Sequence, residues 1–263
     1  MKNTEEHTGG YLMEIDSYFD EVNKFHSAEF TLNYMFKEPD EDALTTTDSL
    51  YMSGYINDFE RSLKTQSSVA SHEYEDYLDV NSAIMFMLLN ELTGNRDFFQ
   101  GAPNFGPHST YLYKDQGGKL FMGPVWDFDY QTFIPARYYS NGNKYKWRGF
   151  DNTGYYYYYM CYDPQFVQTV KDLWNSKKSE FEGLTEYIDE MAGKIGLSQQ
   201  FDQQKWPFHN EKNRNDNYDF DFTALPTYLD AIERMKQSFT TKVQWMDDQI
   251  NGLTTTTPDF PYQ

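Results

Sequence analysis

The sequence predicts an α+β fold in which helices dominate. Two observations predict it: β-compatible segments are confined to the first half of the chain, and helical apolar patterns fill most of the rest. A glycine-containing turn between two apolar runs adds a β-hairpin. No internal repeat and no linker-like stretch interrupts the chain, so we expect one domain over residues 1–263. The expected β elements are a short N-terminal sheet and a separate hairpin.

The first elements should be strands that lead into a helix. The segments "YLMEID" (Tyr11 to Asp16) and "EFTLNYMF" (Glu29 to Phe36) are compatible with β-structure. A Pro-Asp turn then introduces a helical pattern. The expected core positions of that helix are Leu50, Ile56, Phe59 and Leu63.

The clearest helix in the sequence is "DVNSAIMFMLLNELTG". Asp79 is a suitable N-cap, and Gly94 stands where helices commonly end in a left-handed conformation. The expected core positions are Val80, Ile84, Leu88 and Leu92. Asn95, Arg96 and Asp97 follow the helix end directly, and a reactive side chain on such a short, anchored loop would be well positioned.

A β-hairpin is predicted next, between Tyr111 and Met122, where "STYLYKD" and "KLFMGPV" flank "QGG". Paired strands lie about 4.8 Å apart. The residues that enter the first strand, His108 and Ser109, should therefore lie beside the residues that leave the second strand. Those residues are Trp126, Asp127 and Asp129. The hairpin would bring Asp97, Ser109 and Asp127 to one site.

The second half should be helical after a loop from Tyr138 to Tyr159. "DPQFVQTVKDLWNSKK" has Asp163 and Pro164 at the N-cap and first helical positions, and "EFEGLTEYIDEMAGKIG" adds another helical pattern. A long closing helix follows. Its expected core positions are Leu229, Ile232, Met235, Phe239 and Val243.

The tyrosine cluster "YYYYYM" (Tyr155 to Met160) has two interpretations. Aromatic rings can stack on sugars, which would indicate carbohydrate binding. Tyrosines also line core edges, in which case this loop would pack back on the body of the protein.

Charge and cysteine content exclude several functions. The chain carries 41 acidic against 22 basic residues, for a net charge of −19, so it should repel the phosphate backbone of nucleic acids. Cys161 is the only cysteine, which excludes an internal disulfide and a multi-cysteine zinc site. No apolar run approaches the roughly 20 residues of a membrane span, and the first residues lack the apolar region of a signal peptide. A metal site built on oxygen ligands remains open.

An aspartate after a helix, followed by a hairpin and a second aspartate, suits phosphoryl transfer. One carboxylate can accept the proton of the attacking hydroxyl, while another holds Mg²⁺ against the phosphates. Here "NRD" supplies Asp97, and "WDFD" supplies Asp127 and Asp129. The alternative is structural: Asp127 and Asp129 would cap a turn, and Asp97 would pair with Arg96.

Several blocks together resemble the spore-coat protein H (CotH) kinase family. They are "GGYLMEIDSYFDE", "YLDVNSAIMFMLLNELTGNRDFF", "STYLYKDQGGKLFMGPVWDFDYQTF", "DPQFVQTVKDLW" and "QWMDDQI", and the most specific stretch is "LYKDQGGKLFMGPVWDFD". The resemblance implies the C-terminal lobe of an atypical protein kinase, with the hairpin at its active site. It also implies a secreted enzyme that uses ATP and Mg²⁺ or Mn²⁺ to phosphorylate Ser of a protein substrate.

The same resemblance implies roles for individual residues. Asp97 matches the catalytic aspartate and Asp127 the metal-binding aspartate, while Asp129 would be a further ligand or would support one. The family often has Asn shortly after the catalytic Asp. Ser109 best matches that metal-binding place here, and Asn104 is a less suitable substitute, which puts a second metal in doubt.

The chain also departs from the family at its N-terminus. Family members carry a β-rich segment before "GGYL" that should help cover the nucleotide, and only eight residues precede that motif here. We therefore expect a fragment or a shortened member that holds mainly the C-terminal lobe. The nucleotide-anchoring residues are not assigned. Lys24, Lys37 and Lys114 are only candidates for the lysine that would anchor a phosphate.

Three functions compete at this stage. A phosphotransferase at the cell or spore surface, or outside the cell, is favoured by the resemblance. A non-catalytic surface or scaffold module, which could bind glycans through its tyrosines, would keep the fold without the chemistry. A metal-dependent hydrolase would use the same carboxylates with water as the nucleophile.

Overall fold

The computed structural model describes residue 7 and residues 9–95, 107–128, 155–206 and 227–255. This described part is about 59% helical and contains a small antiparallel sheet, which confirms the α+β class. In chain order its elements are β1 (Tyr11–Ile15), β2 (Lys24–His26), β3 (Asn33–Glu38), α1 (Thr46–Ser62), α2 (Gln66–Ala70), a 3₁₀ turn (Glu73–Asp76), α3 (Val80–Thr93), β4 (Thr110–Lys114), β5 (Leu120–Met122), α4 (Tyr156–Met160), α5 (Pro164–Lys205) and α6 (Tyr228–Asn251).

The five described strands form one sheet in the order β2-β3-β1-β4-β5. The prediction of a separate hairpin is therefore wrong. Strand β4 pairs with β1 along its whole length, from Tyr11 opposite Lys114 to Ile15 opposite Thr110. The physical reason is that a two-stranded hairpin alone is marginal in water, whereas a multi-stranded sheet with an apolar face is stable. The sequence does not predict β2, because three residues are too few to show an alternating pattern.

One face of the sheet packs on the helices and the other carries polar groups. Alternate residues of a strand point to opposite faces. The core-facing set includes Met13, Ile15, Leu112 and Leu120, each at most 1% exposed. Glu14 and Tyr111 face each other across β1 and β4 on the opposite face. Tyr111 of this polar face also contacts Trp126, which follows β5.

The "GG" pair that precedes β1 fixes how the chain enters the sheet. A Cβ atom at Gly9 would lie 2.1 Å from the carbonyl carbon of Asp115, so no larger residue fits there without a shift of the backbone. Gly10 has a φ of 88°, and its N–H donates to the carbonyl of Lys114 at 2.8 Å. The glycines therefore allow the chain to pass directly against the β4–β5 turn.

Helix α1 begins with a capping box. The Thr45 side chain accepts from the Asp48 N–H, and the Asp48 side chain accepts from the Thr45 N–H. Ile56, Phe59 and Leu63 are buried as predicted. Leu50 is 52% exposed, so its prediction as a core residue is wrong. Met52, four residues before Ile56, occupies the buried position instead.

Helix α3 agrees closely with its prediction. Asp79 is the N-cap and accepts from the Ser82 N–H, while Gly94 ends the helix with a φ of 72°. The predicted core positions Ile84, Leu88 and Leu92 are buried, and Val80 is partly exposed. Further buried residues occur around the helix, including Ala83, Phe86 and Met87. The helix is therefore central to the core.

The C-terminal helices differ from the sequence prediction in their extents. Residues Tyr156–Met160 form α4 rather than a loop. The two predicted helices after Asp163 are one continuous helix of 42 residues, because the interior Gly183 does not interrupt it. Leu229 is 73% exposed, which makes its prediction as a core residue wrong.

Helix α6 packs antiparallel against α5. Phe239 and Val243 are buried as predicted. Lys178 pairs with Asp247 at 2.7 Å near one end of the helix pair. Lys236 pairs with Asp189 at 2.9 Å farther along it. No helix in the described part of the chain combines the length and apolar character that a membrane crossing needs.

Candidate active site

The candidate site lies at the strand ends of the sheet, where β4 begins and β5 ends. Gly123, directly after β5, donates its N–H to the carbonyl of Tyr111 at 2.9 Å. The Trp126 ring packs against the Tyr111 ring with centroids 5.7 Å apart. The chain that leaves β5 therefore lies beside the beginning of β4, and Asp127 directly follows Trp126 in this segment.

Asp127 is exposed and has a φ of 57°. This left-handed conformation is uncommon for a residue with a side chain, although Asp tolerates it better than most. Asp97 and Asp129 lie outside the described residues. The approach of the Asp97 and Asp127 carboxylates to each other, within roughly 10 Å if they share a metal and substrate site, therefore stays a prediction.

Ser109 lies at the entry to β4. Its backbone N–H donates to Asp16 Oδ2 at 2.9 Å, and its φ is 45°. The Ser109 hydroxyl makes no hydrogen bond within the described ranges, so its oxygen remains able to bind a cation or substrate. Its assignment as a metal ligand stays a prediction.

Asp16 connects the end of β1 to the start of β4, and the sequence analysis does not predict it as a site residue. It follows β1 directly and is only 5% exposed. Besides Ser109, its carboxylate accepts from the Tyr18 N–H at 2.7 Å and lies 3.3 Å from His108 Nδ1. Ser17 Oγ lies 2.9 Å from the same ring nitrogen. The signal that points to Asp16 is a carboxylate placed immediately after a buried strand.

A polar row made of Lys37, Glu14, Glu21 and Tyr111 crosses the sheet face next to these strand ends. Lys37 Nζ lies 3.1 Å from Glu14 Oε2 and 2.5 Å from Glu21 Oε1. Burial acts to lower the pKa of Lys37, but the hydrogen bonds and charges of Glu21 and Glu14 outweigh it, so the pKa is raised. Burial, together with the charge and hydrogen bond of Glu14, raises the pKa of Tyr111 to about 12. The row thus links β3 and β1 to the Tyr111–Trp126 contact.

The other two lysines near the predicted site are engaged elsewhere. Lys114 is 1% exposed, and its ammonium lies 4.8 Å from the Tyr55 ring centroid on the core side. Lys24 lies on β2, where its ammonium donates to the carbonyl of Phe19 at 2.8 Å. Of the three, Lys37 alone joins the polar row.

The family model for the CotH kinase protein matches residues 1–251. The chain belongs to the CotH kinase family. The match spans every described element from β1 to the end of α6, together with the candidate residues Asp97, Ser109, Asp127 and Asp129. A comparison with curated protein sequences finds no match. Membership in this family suggests a kinase-like function.

The oxygen donors at the CotH candidate site suit a hard divalent cation. Asp127 supplies an exposed carboxylate, and Ser109, whose backbone N–H donates to the buried carboxylate of Asp16, supplies a hydroxyl. Carboxylate and hydroxyl oxygens are ligands that Mg²⁺ and Mn²⁺ accept, and Mg²⁺ commonly keeps several waters. The residues present therefore fit the cation that the family implies.

A second group of potential ligands lies outside this site. Among the described residues, His72, Glu75 and Asp163 have ligand atoms within 4.8 Å of one another. Asp163 already accepts from His72 Nδ1 at 2.5 Å, from the Tyr74 hydroxyl at 2.6 Å and from the Gln165 N–H at 2.7 Å. Because these bonds satisfy the buried carboxylate and cap α5, the group has a structural explanation.

Proposed function

We propose that this CotH-family chain is a phosphotransferase that uses ATP and a divalent metal to phosphorylate Ser of secreted or surface proteins. The observation that carries the proposal is the family match over residues 1–251, which includes both predicted catalytic motifs. The position of Asp127 beside the entry to β4 supports it. A location outside the cell, or at a cell or spore surface, belongs to the same proposal.

Each carboxylate has a separate task in this mechanism. Asp97 accepts the proton of the acceptor Ser hydroxyl as its oxygen bonds to the γ-phosphorus of ATP, while the bond from that phosphorus to the β,γ-bridging oxygen breaks and releases ADP. Asp127 would hold the cation, with Asp129 and the Ser109 hydroxyl as further ligands. The cation, when bound, would neutralise charge on the phosphates. The separation of tasks means that the two aspartates should respond differently to substitution.

Asp16 supports the position of Ser109. Its carboxylate ties the Ser109 backbone to the end of β1, so the start of β4 keeps a fixed position relative to the sheet. Asp16 is therefore a positioning residue rather than a ligand. Because a misplacement of 1 Å can cost a large factor in rate, this support matters for the transfer reaction.

We assign Lys37 as the residue whose ammonium group contacts the nucleotide phosphates. It lies on the same polar row as Tyr111, and its ammonium pairs with Glu21 and Glu14. An ammonium on a flexible stem can turn from a carboxylate to a phosphate oxygen without loss of its charge. The assignment rests on the proposed phosphotransfer function.

The transfer assay separates the competing functions. Purified chain, Mg²⁺ and ATP labelled at the γ-phosphate are incubated with a Ser-containing acceptor protein. We expect label on Ser, and loss of that label in Asp97→Asn by at least about 100-fold, within the range that general-base catalysis contributes. Label released only as inorganic phosphate would support the hydrolase, and absence of both products would contradict catalysis by this chain.

The structure bears on one part of the scaffold alternative, glycan binding by the tyrosine cluster. Tyr156 and Tyr157 of the tyrosine cluster are each 1% exposed and belong to the core. They cannot stack on a glycan without unfolding of α4. The interpretation in which this cluster packs on the body of the protein is therefore confirmed for these two residues.

A further inference from the structure

A buried carboxylate outside the candidate site joins three parts of the fold. Glu60 of α1 is 0% exposed. It contacts Tyr34 of β3, Phe30 of the loop between β2 and β3, and Tyr156 of α4. Helix α4 is the first described element after the segment that begins at the candidate metal site. Glu60 therefore connects the sheet and α1 to that helix.

The hydrogen bonds show how the carboxylate is held. The Tyr156 and Tyr34 hydroxyls lie 2.9 and 3.1 Å from Oε1, where they can donate to it, and the two hydroxyls also contact each other. The Phe30 N–H donates to Oε2 at 3.1 Å, and the Ser27 side chain adds another hydrogen bond. Burial raises the pKa of Tyr156, so its hydroxyl stays protonated. Either hydroxyl could instead accept a hydrogen bond from the single O–H of a neutral Glu60.

Among the described residues, the charged side chains around Glu60 form no direct ion pair with it. Lys64, one turn later, places its ammonium 3.6 Å from the Phe30 ring centroid, and burial lowers the pKa of Lys64. The Glu29 carboxylate is paired with Arg61 at 3.3 Å. Burial raises the pKa of Glu60 to about 7, although the hydrogen bonds from Ser27 and Phe30 and the charge of Lys64 act to lower it.

We infer that Glu60 is a pH-sensitive latch, which attaches helix α4 to α1 and the β2–β3 loop more tightly when the carboxyl group is protonated. The contacts that carry this inference are the two tyrosine hydroxyls and the loop amide around one buried carboxyl group. Protonation removes the buried charge, while the neutral group can still exchange hydrogen bonds with both tyrosines. The inference is independent of phosphotransfer.

The pH range of the latch follows from proton linkage. When α4 detaches, Glu60 meets water and its pKa falls toward the ordinary value of 4.5. Between that value and about 7, the closed state keeps the proton and the open state loses it. The population with α4 open should then rise by up to about tenfold per pH unit. Below this range and above it, both states have the same protonation, so the dependence should flatten.

Hydrogen exchange of the whole chain tests the latch. The peptide covering residues 155–163 is followed from pH 5 to pH 8.5, with correction for intrinsic exchange. We expect the wild-type opening constant to rise between pH 5 and pH 7 and then level off, and Glu60→Gln to lose that slope. Glu180→Gln, at an exposed glutamate of α5, should keep the wild-type profile.

Two results would overturn the inference. One is an unchanged pH slope in Glu60→Gln, which would assign the dependence to other groups. If Glu60→Gln does not fold, Tyr156→Phe carries the test, because it removes one hydroxyl from the carboxyl group. Opening of α4 in that variant is expected to increase by about fivefold or more at pH 6, since the Tyr156 hydroxyl loses its hydrogen bond to Glu60 and its contact with Tyr34. No increase in opening would equally overturn the latch.

Discussion

At the residue scale, Asp16 connects the fold to the candidate site. Its carboxylate satisfies the Ser109 and Tyr18 amides and lies beside His108. A buried polar group that loses its hydrogen-bond partner destabilises the fold by its desolvation free energy. The entry to β4 therefore depends on one side chain that lies at the end of another strand.

Asp16→Ala should destabilise the protein by about 2–3 kcal/mol, because the Ser109 and Tyr18 amides lose their acceptor. Urea unfolding measures this change. Asp20→Ala is the matched control, since Asp20 is exposed and has no hydrogen bond within the described residues. It should change stability by less than about 0.5 kcal/mol. Equal effects of the two substitutions would contradict the role of Asp16.

Lys37→Met should weaken the binding of ATP in the presence of Mg²⁺ by tenfold or more, about 1.4 kcal/mol, because a phosphate contact is lost. Calorimetric titration measures the affinity, and a thermal melt checks that the variant is folded. Lys24→Met is the control, because Lys24 lies on the edge strand β2 and bonds to Phe19. Wild-type affinity in Lys37→Met would remove Lys37 from the nucleotide site.

At the element scale, local signals were predictable and long-range pairings were not. Asp79 and Gly94 predict both ends of α3, because caps depend on residues within one turn. The pairing of β4 with β1 joins residues about a hundred positions apart, and no local pattern records it. The role of Asp16 depends on that pairing, which explains why the sequence predicts Asp127 and Ser109 as site residues but not Asp16.

Glycine substitutions test the approach of the N-terminal segment to the hairpin turn. Gly9→Ala should destabilise the protein by about 2 kcal/mol or more, because the new Cβ would overlap the backbone of Asp115. Gly183→Ala, inside α5 with no atom near the new Cβ, should stabilise it by about 0.5–1 kcal/mol. Denaturant unfolding compares the two. A neutral Gly9→Ala would show that the close approach is not required.

At the scale of the whole molecule, net charge decides the order of binding. A chain with a charge of −19 repels ATP, and the acidic residues of the candidate site repel it further. A divalent cation reverses the local potential, so metal should bind first. We expect ATP without metal to give little or no heat in a calorimetric titration, and ATP with Mg²⁺ to bind. Tight binding of ATP without metal would contradict this order.

The effect of Mg²⁺ on the melting temperature of three forms of the chain tests the central claim most directly. The claim is that Asp127 holds the metal while Asp97 acts on the acceptor hydroxyl. Mg²⁺ or Mn²⁺ should raise the melting temperature of the wild type, because a ligand that binds only the folded state stabilises it. Asp127→Asn should lose this gain, and Asp97→Asn should largely keep it. Equal stabilisation of wild type and Asp127→Asn by metal would contradict the account.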